Sequence, residues 1–115
     1  MLPLLAIAVL IAIVDMPWLF FAQPYYSQMV RGIQCGKEGN FYLLPAFLVY
    51  LALAYLVTLP KSAKEAFLLG LSVYAVYDFT NLATLKGYDL RFAVADTLWG
   101  GFLFTFVWLV LDRLQ

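Results

Sequence analysis

The chain has 115 residues, room for one domain, and is 65% hydrophobic, 18% aromatic and only 12% charged, with mean hydropathy +0.89. A soluble domain carries about 25% charged residues, so this composition excludes an ordinary soluble fold and makes a lipid bilayer the expected partner. Seven basic residues balance seven acidic ones, histidine is absent and cysteine occurs once, which leaves no polybasic surface for nucleic acid, no imidazole metal ligand and no internal disulfide.

A helix needs about 20 mostly apolar residues to cross a bilayer. The first stretch of that kind runs over residues 2–22. It lacks a basic leader, holds Asp15 in its apolar part and offers no small-residue cleavage site, so it reads as a retained helix and not a signal peptide. Pro17 is expected to kink it, because proline removes one backbone hydrogen bond and crowds the preceding turn. A polar, glycine-containing connector, residues 23–40, follows, with the lone Cys35 read as a free thiol.

The second span covers residues 41–59 and stops at Pro60, a residue that cannot continue a helix. The third covers 66–85, with Gly87 placed to cap it, and the fourth covers 92–111. These helices show almost no polar face, which argues against a soluble bundle. The expected fold is all-α: four transmembrane helices in a compact bundle forming one domain, residues 1–115, with both termini on the same side. Three basic residues (Lys61, Lys64, Arg113) lie on the terminal side and four (Arg31, Lys37, Lys86, Arg91) on the other. That split is too even for the positive-inside rule to set an orientation.

Three carboxylic acids fall inside the spans: Asp15, Asp78 and Asp96. At 1.5 Å per residue they lie roughly 10, 10 and 6 Å from the ends of their spans nearest the 86–91 turn. Three different helices therefore place an acid in the same third of the membrane. Asp15 and Asp96 each precede a tryptophan by three residues, Trp18 and Trp99; two matching positions are weak evidence of duplication. In the third span Tyr74, Asp78, Asn81 and Leu85 share one helix face, with Tyr77, Thr80 and Thr84 beside it. Gly100-Gly101 would let another helix come close.

The expectation is a polar pocket near the 86–91 turn, formed by Asp15, Trp18, Tyr74, Tyr77, Asp78, Asn81, Thr84, Asp96 and Trp99, with Lys86 and Arg91 at its rim. An ionisable residue in a membrane is costly and marks a functional site by default; the bland alternative is that these groups tie helices together by hydrogen bonds. A metal is left open, since carboxylate, amide and hydroxyl oxygens suit hard cations, and no other cofactor is indicated. Phe20, Phe21, Tyr25, Tyr26, Tyr42, Tyr88 and Phe92 read as an interfacial aromatic belt. The deeper hydroxyls of Tyr50, Tyr55, Tyr74 and Tyr77 need hydrogen-bond partners.

No catalytic triad, phosphate-binding loop or dinucleotide fingerprint is present. The leading expectation is therefore a non-enzymatic one: a pocket for a small polar or cationic ligand, a proton or a lipid headgroup, in a transporter-like or accessory role. A structural subunit of a larger membrane assembly, or a homo-oligomer, is the second. A lipid-modifying enzyme using the aspartates is the third.

The run Tyr77-Asp78-Phe79-Thr80-Asn81-Leu82-Ala83-Thr84-Leu85-Lys86, followed by Asp96-Thr97-Leu98-Trp99-Gly100, resembles the signature of a family of small four-span membrane proteins known only as a domain of unknown function. The resemblance extends to Asp15-Met16-Pro17-Trp18-Leu19 and Tyr26, so it covers essentially the whole chain. It implies a four-helix integral membrane protein and assigns no activity. The family pattern has Trp-Pro in the turn where this chain has Tyr88-Asp89.

Overall fold

The computed structural model describes residues 2–33 and 43–114, with side chains given for all of these except 30–33. Four helices follow in chain order: α1 (Leu4–Ile33), α2 (Leu43–Val57), α3 (Ala63–Thr84) and α4 (Leu90–Leu114). Three of them, over Leu4–Met29, Ala63–Thr84 and Leu90–Leu114, are long and apolar enough to cross a membrane, and α2 is a shorter apolar helix. The expected all-α bundle of four apolar helices is what forms. The beginning of the second span, Cys35, Lys37 and Tyr42 lie outside the described residues.

The first helix is longer than its apolar stretch. It passes both Pro17 and Pro24 and continues to Ile33, so much of the polar connector is helical. The helix ends follow local chemistry. In the last turn of α2, Thr58 and Leu59 donate to the carbonyls of Tyr55 and Leu56, both at 3.1 Å, the tightened pattern that satisfies otherwise orphaned C=O groups. Pro60 then ends the run.

Ser62 caps α3 by accepting from the Glu65 N–H at 3.2 Å, while Glu65 Oε2 accepts from the Lys61 N–H at 3.1 Å. This is close to a capping box. Asp89 does the same for α4: its Oδ1 accepts from the Arg91 N–H at 2.8 Å. Between α3 and α4 the Tyr88 N–H donates to the Leu85 carbonyl at 3.3 Å, and Gly87 takes φ 94°, a left-handed conformation that glycine adopts without steric cost. The turn so formed sends Tyr88 inward.

α4 is the hub and packs against each of the other three helices. Its closest approach is to α3. A Cβ placed on Gly70 would come within 2.3 Å of the Gly100 carbonyl oxygen, so the two backbones touch there, and Gly101 meets the Phe67 ring. In lipid, where no hydrophobic force drives one apolar helix onto another, such small-residue contacts supply the van der Waals packing. A core of Ile7, Ile11, Leu53, Val57, Leu103, Phe104 and Val107 joins α1, α2 and α4 toward the end that carries the α2–α3 turn. The opposite end, below the α3–α4 turn, is where the acids sit.

Candidate functional site

Asp15, Asp78 and Asp96 are all buried, at 5%, 0% and 8% exposure. Each is held by neutral donors. Asp15 accepts from the Tyr50 hydroxyl of α2 at 2.7 Å through Oδ2, and from the Trp99 indole N–H of α4 at 2.7 Å through Oδ1. Asp96 accepts from the Trp18 indole N–H of α1 at 2.8 Å. The contacts pair 15 with 99 and 18 with 96, so α1 and α4 run antiparallel here. The two Asp-x-x-Trp turns thus clasp each other reciprocally, with the indoles stacked at 5.9 Å and 19° between them.

Asp78 reaches the same centre from α3. Its Oδ1 accepts from the Tyr88 hydroxyl at 3.0 Å and its Oδ2 from the Thr97 hydroxyl at 3.4 Å. Thr97 follows Asp96 directly on α4, so the buried Asp96 lies beside Asp78. Burial holds the Tyr88 hydroxyl above its ordinary pKa range, so it remains a proton donor. From Tyr88 a line of polar groups leads outward. Asn81 stands one helical turn beyond Tyr77 on α3, and the Tyr77 hydroxyl stands 3.4 Å from that of Tyr26 on α1. Tyr26 and Tyr77 are exposed at 37% and 51%.

Aromatic rings close the centre toward the turn. Phe92 is buried and packs against Trp18, Tyr25, Tyr26 and Tyr88 with centroids 5.5–6.4 Å apart. The Tyr25 hydroxyl donates to Asp89, tying the far part of α1 to the start of α4. The belt reading is therefore corrected for Tyr88 and Phe92. They are buried in an inner cluster, while Phe20 and Phe21 stay 73% and 80% exposed.

The remaining expected site residues divide. Tyr74 lies against Gly100 so closely that a Cβ there would meet its ring at 2.3 Å, which makes it a wall between α3 and α4. Thr84 does not join the centre: it is exposed, and its hydroxyl donates back to the Thr80 carbonyl at 2.8 Å. Lys86 and Arg91 are exposed beside the α3–α4 turn. Among the described residues no three acidic or cysteine side chains are placed to hold a metal ion. None of their buried side-chain nitrogens or oxygens lacks a partner. The polar groups thus form a packed, hydrogen-bonded centre.

Residues 1–110 match the family described as Predicted membrane protein (DUF2177). The chain belongs to that family. No curated protein and no solved structure is significantly similar to it. The DUF2177 match spans Asp15, Asp78 and Asp96 and agrees with the apolar helices, so this DUF2177 chain is a multi-pass integral membrane protein. Three residues of its centre carried no strong sequence signal of their own. Tyr50 was visible only as a deep hydroxyl in need of a partner, Thr97 only as the neighbour of Asp96, and Tyr88 was hidden among interfacial aromatics.

Proposed function

We propose that the neighbouring carboxyl groups of Asp78 and Asp96 form an intramembrane proton-binding centre that serves a transporter-like or accessory role. The observation that carries this reading is that two buried acids, Asp78 and Asp96, come together from α3 and α4, with the hydrogen bonds to them coming from the neutral groups of Trp18, Tyr88 and Thr97. Two neighbouring buried carboxyl groups resist joint ionisation, so one of the pair keeps a proton. Losing that proton creates a repelling pair that recruits a small cation or pushes α3 and α4 apart. The line Tyr88, Asn81, Tyr77 and Tyr26 supports exchange with the surface near the α3–α4 turn; an amide passes protons poorly, so a water beside Asn81 would complete it.

Asp15 supports a second, structural reading for part of the cluster. Both of its oxygens are taken by Trp99 and Tyr50, the pattern of interhelical hydrogen bonding that fixes helix register. In this division Asp15 with the two tryptophans is the clasp, and Asp78 with Asp96 is the working pair. Four helices, three of them packed around α4, make a thin bundle. Movement of an ion across the membrane would accordingly require a homo-oligomer or a larger complex.

Infrared difference spectroscopy of the detergent-purified protein over a pH titration tests the centre. A protonated-carboxyl band that titrates in the wild type and disappears in Asp78→Asn is expected. No such band at any pH would defeat the proton-binding reading. Vesicle flux with a pH-sensitive dye then tests transport separately: flux lost in Asp78→Asn is expected, and its absence in the wild type leaves the accessory role alone.

A further inference from the structure

The end of the bundle away from the acids holds a cavity of about 260 Å³, lined by Val57, Thr58, Pro60, Lys61, Trp108 and Leu111, with Asp112 completing it. It lies where the α2–α3 turn meets the last turns of α4. Its floor is apolar, with Val57 and Leu111 buried, whereas Lys61 and Asp112 are exposed at its mouth. The site is built and not incidental to a loose loop. The Trp108 indole N–H donates to the Pro60 carbonyl at 2.9 Å, Thr58 is pinned to the Tyr55 carbonyl, and Glu65 holds the Lys61 backbone. The turn carrying the cation is thereby fixed against the helix carrying the anion.

This cavity lies at a helix end, where a membrane-spanning helix meets the headgroup layer. Pockets for drug-sized ligands run to about 300–1,000 Å³, so this one suits a headgroup better than a whole lipid. One lysine and one aspartate at its mouth complement a molecule with one phosphate and one ammonium. A purely anionic headgroup would leave Asp112 facing a like charge. A quaternary ammonium offers a carboxylate no N–H to accept from, whereas a primary ammonium offers three.

We propose that this cavity binds the headgroup of a phospholipid bearing a primary ammonium, with the phosphate on Lys61, the ammonium on Asp112 and the glycerol end against Trp108. The apolar floor receives the first carbons of the lipid. The proposal is independent of the acidic centre, which lies at the other end of the bundle.

Native mass spectrometry of the full chain released from micelles tests it, using an equimolar mixture of phosphatidylethanolamine, phosphatidylcholine and phosphatidylglycerol with identical acyl chains. The phosphatidylethanolamine adduct is expected to exceed each of the others by about threefold, as one exposed charge pair would give. Asp112→Asn should lower it to the phosphatidylcholine level, and Lys61→Gln should weaken both. Both positions are exposed, so helix content and melting without lipid should stay at wild-type values, and a variant that fails this control is replaced by Asp112→Ser or Lys61→Ser. Equal adducts of all three lipids in the wild type would overturn the proposal. So would a preference for phosphatidylglycerol, or a wild-type adduct pattern in both variants.

Discussion

Trp18 and Trp99 stack across the α1–α4 interface, and each donates its indole N–H to the aspartate one turn before the other. The pair works as one unit, because the stacking and the two hydrogen bonds require the same helix register. Trp99→Phe keeps an aromatic ring and removes only the N–H, leaving Asp15 one donor short. Leaving a buried polar group short of a partner costs about 1–3 kcal/mol, and a loss of that order is expected in chemical unfolding in detergent. Trp18→Phe should cost a similar amount through Asp96. In the double variant the two losses should fail to add, with an interaction energy on the order of 1 kcal/mol. Strict additivity would show that the two turns are separate contacts.

Asp15 and Asp78 should respond differently to neutralisation. Asp15→Leu leaves the buried Tyr50 hydroxyl and Trp99 N–H without an acceptor, at about 1–3 kcal/mol for each orphaned group. Asp78→Asn, by contrast, relieves a carboxyl pair and keeps an oxygen for Tyr88. Groups held for function are often kept at a cost in stability, so Asp78→Asn should melt at the wild-type temperature or above it. A clear fall in the Asp78→Asn melting temperature would assign that residue to the clasp as well.

The α3–α4 contact at Gly70 should tolerate no side chain. An added Cβ would sit 2.3 Å from the Gly100 carbonyl oxygen, a backbone atom that cannot rotate away. Gly70→Ala should therefore destabilise the protein by about 1–3 kcal/mol, the usual cost of overpacking, read as a lower melting temperature. Gly70→Ala at wild-type stability would mean that the two helices can separate without loss.

The turn that aims Tyr88 can be tested at two neighbouring positions. Tyr88→Phe removes the hydroxyl from Asp78 and should cost about 1–3 kcal/mol, as for a buried group left short of a partner. Gly87→Ala forces an L-residue into φ 94°, at about 1–2 kcal/mol. Both are expected to shift the infrared carboxyl band of the wild type, since both disturb the donor on Asp78. An unmoved band in both would remove Tyr88 from the centre.

The helices were legible in the sequence because apolar length is a strong signal. Asp15, Asp78 and Asp96 were legible because a charge inside such a run is rare. Their mutual orientation was not. Helix rotation is set by packing, and the decisive contact sets Gly100 against Gly70, a single glycine inside an apolar run that carries no signal of its own. The Asp-x-x-Trp echo looked like chance since two positions carry little information; only the antiparallel alignment of α1 with α4 gives it meaning. Tyr88 and Phe92 were misplaced for a related reason. An aromatic near a membrane boundary has the same composition signal whether it faces lipid or turns inward, and the positive φ at Gly87 decides which. The length of α1 was missed because helix formation outlasts the apolar stretch: Gln23 to Met29 have no lipid-crossing hydropathy of their own, yet Tyr25 and Met29 gain partners on Asp89.

The position of α4 as the hub has a consequence for how the protein is made. Ribosomes deliver the helices in order, so α1, α2 and α3 enter the membrane before their common neighbour exists. During that interval Asp15 has Tyr50 at most, and Asp78 lacks both Tyr88 and Thr97. A nascent chain carrying two under-partnered carboxyls among lipid tails is a natural client for the insertion machinery or for proteolytic surveillance. The arrival of residues 96–100 ends that vulnerability in a single step, because one helical turn brings the partner of Trp18, the hydroxyl beside Asp78, the donor to Asp15 and the glycine on which Tyr74 rests.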